Sequence, residues 1–147
     1  MREYRGIDII TGEWIFGSLI VDEKGNHYIG RAIMPAPSKS MLFLQGRRNS
    51  ETLNRFIGMG FSMVIPVTVG EDTGMTDMNG KQIFEGDIVH TKEFNLKDTK
   101  YEDHNYLIEF ANGYYFLSRK KRKMALNVWN HQCEVIGNKF ENSNLLK

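Results

Sequence analysis

TGMTDMNGKQIFEGDIV, residues 73–89, sets two turn signals beside two short apolar runs. Glycines stand at Gly74, Gly80 and Gly86, with Asp72, Asp77, Glu85 and Asp87 around them. Such a stretch is either a loop that grips a phosphate or a metal, or the turns of a β fold. A phosphate loop needs consecutive backbone N–H groups that lead into a helix N-terminus. Here the glycines are six residues apart, strand-like QIF and DIV follow them, and there is no G-K-[ST] element. A calcium loop needs D-x-[DN]-x-[DN]-G and a later bidentate Glu. Asp77, Asn79 and Glu85 are available, but Gly80 follows Asn79 directly and a third ligand is missing. The stretch therefore reads as structure: a turn at Asp77–Gly80, with the Asp bonding backbone and Asn-Gly supplying positive φ, then a sharp turn into a strand at Gly86–Asp87.

Downstream, GDIVHTKEF (86–94) has the composition of a strand, and NLKDTKYEDH (95–104) is polar enough to read as a loop. NYLIEFANGYYFLS (105–118) is the clearest hairpin. Its Asn112-Gly113 suits a type I′ turn, in which both central residues need φ > 0, between β-rich flanks. RKKRK (119–123) reads as a basic loop, and MALNVWN (124–130) and CEVIGNKFE (133–141) as two further strands. Five short strands over 86–147 have the proportion of a small SH3-like β-barrel.

Upstream, YRGIDII (4–10) and EWIFGSLIV (13–21) alternate and join at Thr11-Gly12; DEKGN (22–26) is a turn and HYIGRAIM (27–34) a third strand. PAPSKS (35–40) breaks this meander, because its prolines remove ladder donors. NSETLNRFIGMG (49–60) carries the best helix signal, with Leu53, Phe56 and Ile57 at helical spacing and glycines as a stop, which predicts a short helix near 50–57. SMVIPVTV (62–69) reads as a strand whose Pro66 suggests an edge or a bulge. The expectation is a mainly β protein, with an N-terminal β region over 1–85 and the SH3-like barrel over 86–147.

The chain has 147 residues, a hydrophobic fraction of 41% and a net charge of +1. That is globular composition, with no strong overall pull on nucleic acid or anionic membranes. Residues 1–90 carry nine Lys/Arg against eleven Asp/Glu, and 91–147 carry ten against seven, so the C-terminal part is mildly basic. A single cysteine, Cys133, permits no intramolecular disulfide and points to a reducing cytoplasm. The N-terminus lacks the apolar core of a signal peptide, and no apolar run is long enough to span a membrane.

His27, His90, His104 and His131 fall in no metal-binding pattern, so no metal or cofactor is expected. His131 and Cys133 would share a face of one strand, a pairing compatible with nucleophilic chemistry but without an oxyanion motif or an orienting group. No catalytic residue is assigned. Met59, Met63, Met75 and Met78 cluster near the glycine-rich centre, where core filling is their ordinary use and an oligomer surface the alternative. The sharpest feature is the run Arg119, Lys120, Lys121, Arg122, Lys123. Five adjacent cations repel one another, and they either keep a loop soluble or contact phosphates. Tyr114, Tyr115, Phe116 and Trp129 nearby could stack bases, although alternation would bury roughly half of them.

Three blocks resemble a known family: YRGIDIITGEWIFG (4–17), IPVTVGEDTGMTDMNGKQIFEGDIV (65–89) and EVIGNKFENSNLL (134–146). The central block is similar to T-V-G-x-x-T-G-x-x-D-x-N-G-K-x-I-[YF]-E-G-D-I-V of the YopX-like phage and prophage proteins. Agreement falls at Thr68, Val69, Gly70, Thr73, Gly74, Asp77, Asn79, Gly80, Lys81 and Ile83, and at Phe84 through Val89. The resemblance implies a small, mainly β protein of phage or prophage, acting in the bacterial cytoplasm, and implies no reaction. The basic run lies outside these blocks. The functional expectation is a non-enzymatic accessory protein that acts by binding, with nucleic acid contacted through residues 119–123. The alternative is a homo-oligomeric structural or protein-interaction module, with a host or phage protein as partner.

Overall fold

Alternating apolar and polar residues, cut by glycine and aspartate turns, give eleven strands among the described residues, which in this computed structural model are 2–31 and 60–147. The strands are β1 (Tyr4–Ile7), β2 (Trp14–Val21), β3 (His27–Gly30), β4 (Phe61–Val64), β5 (Gly70–Thr76) and β6 (Gln82–Phe84), then β7 (Asp87–Asn95), β8 (Lys100–Ala111), β9 (Tyr114–Arg119), β10 (Arg122–Ala125) and β11 (Cys133–Asn138). They make two antiparallel sheets, ordered β4-β3-β2-β1-β5-β6 and β10-β9-β8-β7-β11, and neither is closed into a barrel. The helical elements among the described residues are the four-residue α1 (Leu126–Trp129) and three 3-10 turns. No helix among them is long and apolar enough to cross a membrane. The helix expected near 50–57 and the breaker at 35–40 lie outside the described residues.

The chain separates into two compact units, Met1–Glu71 and Asp72–Lys147, so the expected boundary at 85/86 sits at the β6–β7 turn inside the second unit. In the first unit, Tyr28, Ile29, Phe61 and Val64 are buried. The expected strand over 62–69 is split. β4 ends at Val64, and Pro66–Thr68 form a 3-10 turn with the proline near its start, where a fixed φ and a missing N–H cost nothing. Thr68 secures that turn, its Oγ1 accepting the Ile7 N–H at 2.9 Å and donating to the Ile65 carbonyl at 2.6 Å.

In the second unit, one face of the five-stranded sheet packs Val89, Tyr106, Ile108, Tyr115, Leu117 and Cys133 into a core with Ile83 and Leu126. Asn112 and Gly113 take φ of 53° and 86°, as the two-residue turn between β8 and β9 requires. The expected SH3-like barrel is here an open sheet. The chain leaves β10 through α1 and the 3-10 turn Asn130–Gln132, and it returns beside β7 at the far edge, where β11 pairs with β7. The segment 95–104, expected as a loop, is a turn only at 96–99, and the rest of it is strand. β7 and β8 run on as a long hairpin, pairing Thr91 with His104, Glu93 with Glu102, Phe94 with Tyr101 and Asn95 with Lys100.

Candidate functional site

The opening stretch is structural in its geometry. Asp77 is 3% exposed. Its Oδ1 accepts the N–H groups of Asn79 and Lys81, both at 2.9 Å, and its Oδ2 accepts that of Val135 at 2.9 Å. One carboxylate thus closes the β5–β6 turn and ties it to β11. Burial alone would raise the pKa of Asp77, but these hydrogen bonds and the nearby Lys81 charge hold it below the usual range. Asp87, also buried, accepts the Phe84 N–H at 2.8 Å and shapes the turn into β7.

His131 and Cys133 do not share a strand. His131 sits in the 3-10 turn and Cys133 opens β11. Burial, with the Asp77 charge behind it, pushes the Cys133 thiol up to about 12, and its Sγ–H donates to the Asn130 carbonyl at 3.5 Å. A thiol held protonated in this way is a poor nucleophile.

The basic run is not a loop but the tip of the β9–β10 hairpin. Arg119 ends β9, Lys120 and Lys121 form the turn, and Arg122 and Lys123 begin β10, with Arg119 opposite Arg122 and Ser118 opposite Lys123. Cross-strand partners share a face and neighbours alternate, so the five cations separate into three environments.

Arg119 and Arg122 lie on the core face, beyond its apolar part. Arg122 Nη2 donates to Glu93 Oε1 at 2.8 Å, and Arg119 Nη1 donates to His104 Nδ1 at 2.7 Å. A guanidinium only donates, so Nδ1 must be the lone-pair nitrogen of His104. The ring proton then sits on Nε2, which faces Glu102 Oε2 at 3.3 Å. Glu93 Oε2 also accepts from Thr91 Oγ1 at 2.7 Å and from the Tyr106 hydroxyl at 2.8 Å. Burial would raise the Glu93 carboxyl, yet these two donors and the Arg122 charge hold it below its ordinary value. The same environment pushes the Tyr106 phenol up to about 12, through burial and then through its hydrogen bond to Glu93 and the carboxylate charge. The Asn95 amide donates to Glu102 Oε1 at 2.8 Å, and that bond is the main reason the Glu102 carboxyl is also lowered.

Lys123 lies on the opposite face, its Nζ 4.8 Å from the centre of the Phe116 ring. Of the four aromatic residues expected as stacking platforms, Tyr115 and Phe116 are buried and Trp129 packs against the core. Tyr114 is 52% exposed and sits 5.9 Å from Phe116, ring to ring. Lys120 and Lys121 are exposed at the tip, and Lys120 takes φ of 52°.

Between the β7–β8 turn and the start of β10 lies a groove of about 410 Å³, lined in part by Glu93, Asn95, Lys97, Glu102, His104 and Arg122. The sequence reading missed Glu93, Glu102 and His104. Alternation in T-K-E (91–93) and E-D-H (102–104) was the available signal, but it acquires meaning only once the two segments pair.

A family model described as YopX protein matches residues 3–147. Among solved structures, the crystal structure of protein EF1440 from Enterococcus faecalis aligns with a TM-score of 0.57 at 22% identity. That alignment covers 100% of this chain and 99% of that one, a likeness of fold. No curated protein matches the chain.

Proposed function

The chain belongs to the YopX family, and on that premise we propose that it is a phage or prophage accessory protein of the bacterial cytoplasm that acts by binding nucleic acid through the β9–β10 tip. The observation that carries this reading is the division of the basic run. Arg119 and Arg122 are held by His104 and Glu93, so they brace the hairpin. Lys120 and Lys121 project from the turn they brace, with Lys123 on one flank; the exposed Tyr114 ring lies on the same face as Lys123, at the far end of β9. Adjacent cations on a braced tip are suited to phosphate contact, which is independent of sequence and sensitive to salt. The exposed aromatic adds a surface on which a base can stack. Binding is therefore weaker than five free cations would give, because Arg122 is paired with the Glu93 carboxylate and Arg119 is committed to His104.

Fluorescence anisotropy with a short 5′-hydroxyl single-stranded DNA tests this reading. Binding at low salt that weakens when Lys120 and Lys121 become Ser supports it. Absence of binding at low salt removes it.

A second reading has its own observation. Phe94, Leu96 and Tyr101 at the β7–β8 tip are 49%, 83% and 63% exposed, and Phe94 meets Tyr101 edge-on at 5.2 Å. An exposed apolar tip of this kind suits self-association or a host or phage protein partner. Light scattering decides the homo-oligomeric form of it: a monomer at all accessible concentrations would sink that form.

A further inference from the structure

We propose that the groove between the β7–β8 turn and β10 is a second anion site, distinct from the lysine tip, and that it takes a phosphate monoester on Lys97 and Arg122. Its volume, about 410 Å³, is within the roughly 300–1,000 Å³ typical of small-molecule sites. Its walls carry two carboxylates and two permanent cations, but the two signs are not equally available to a ligand. Glu93 is 9% exposed and is engaged by Thr91, Tyr106 and Arg122. Glu102 is engaged by Asn95 and His104. Both acids therefore face donors supplied by the protein.

The cations are in the opposite position. Arg122 spends one N–H on Glu93, its side chain is 53% exposed, and a guanidinium has five donors in all. Because Glu93 fixes the guanidinium from below, the outward donors are held in place before any ligand arrives, which lowers the ordering cost of binding. Lys97 is exposed in the turn, and the backbone beneath it is fixed where Asn95 Oδ1 accepts the Lys97 N–H at 2.9 Å. A planar guanidinium and an ammonium lining one groove suit an oxyanion with several acceptor oxygens. A phosphate monoester carries a charge of about −1.5 to −2 near neutral pH and three strong acceptor oxygens, which matches two cations better than a diester or a carboxylate would.

The same chemistry is offered by a free mononucleotide and by the 5′-phosphorylated end of a strand. The test is a titration of the full chain, followed by backbone amide chemical shifts. AMP, a 5′-phosphorylated oligonucleotide and its 5′-hydroxyl counterpart serve as probes. AMP should shift residues 95–97 and 122, and Lys97→Gln should weaken AMP binding about tenfold, the loss of one charge-assisted contact. Lys97 supports no other side chain, so folding is preserved. Arg122→Lys, which keeps the charge opposite Glu93 but removes the fork, should weaken AMP binding as well. The double change of Lys120 and Lys121 to Ser should leave AMP binding unaltered, while it weakens binding of the 5′-hydroxyl strand. The two sites can thus fail independently. A phosphorylated strand that binds more tightly than both AMP and the hydroxyl strand identifies a strand end as the ligand; equal affinity for AMP identifies the mononucleotide. No shift at millimolar AMP, shifts confined to Lys120–Lys121, or an unchanged affinity in Lys97→Gln would overturn the proposal.

Discussion

Arg122 Nη2 meets Glu93 Oε1 at 2.8 Å and thereby joins the edge strand β10 to a carboxylate in the interior of the sheet. The pair couples the basic hairpin to the fold. Its cation is half exposed and its anion is 9% exposed, so the two partners have different consequences when removed. Arg122→Met leaves a buried carboxylate with hydroxyl donors only, and should cost about 1–3 kcal/mol in chemical denaturation. Glu93→Gln keeps an acceptor for Thr91 and Tyr106 and should cost less. Equal stability of all three proteins would show that the pair does not anchor the hairpin.

The pH dependence follows from the same groups. Glu93 and Asp77 are both held below their ordinary values of 4.5 and 3.8 in the folded state. The unfolded chain therefore binds protons first on acidification, and stability is lost as pH falls through about 4 toward the folded values. Tyr106 behaves in the opposite sense. Its folded value near 12 exceeds the ordinary 10.0, so stability is lost as pH rises between these limits. Urea midpoints measured from pH 7 down to pH 3 should decline, and the decline should be shallower in Glu93→Gln. A midpoint independent of pH over that range would contradict the assignment.

Asp77 gives the largest expected effect outside the core. Asp77→Ala removes the acceptor of three backbone N–H groups, and the cost should be about 3 kcal/mol. Asp77→Asn retains one oxygen acceptor and should cost roughly half as much. Calcium should change the melting temperature of none of the three proteins, because the carboxylate is committed to backbone. A calcium-dependent rise in the wild type alone would restore the metal reading.

Lys120 holds φ of 52°, a conformation that a side chain disfavours by about 1 kcal/mol. Lys120→Gly should therefore raise stability by up to that amount while it weakens DNA binding. Opposite signs in one variant separate charge from folding. A loss of stability would mean that the lysine side chain supports the turn.

Much of this architecture was legible where local chemistry and tertiary structure agree. Asn112-Gly113 marked its hairpin because few other pairs tolerate two positive φ values; Asp77–Gly80 marked its turn differently, through the Asp77 carboxylate and the positive φ of Gly80 alone, Asn79 keeping an ordinary φ. The hairpin over 95–104 was hidden because its core-side positions are polar. Thr91, Glu93, Glu102 and His104 alternate as strand residues do, but they build a hydrogen-bonded network where an apolar stripe was the expected sign of a strand. The basic run concealed its strand register in a similar way: Arg119 and Arg122 read as members of one uniform charge cluster until their partners on β7 and β8 are in place. The open order of the five strands depended on where the chain goes after Ala125, and no local signal in LNVWNHQ states that it crosses to β7.

The most direct test of the lysine tip is the salt dependence of DNA affinity, measured side by side for the wild type and the variant with Lys120 and Lys121 changed to Ser. Each phosphate contact on a single strand contributes about −0.7 to the slope of log affinity against log salt. The slope of the variant should be shallower by about 1.4, the amount for two lost contacts, while Arg119 and Arg122 stay bound to His104 and Glu93. Identical slopes in the two proteins would contradict the account, since whatever binding remained would not pass through these two lysines.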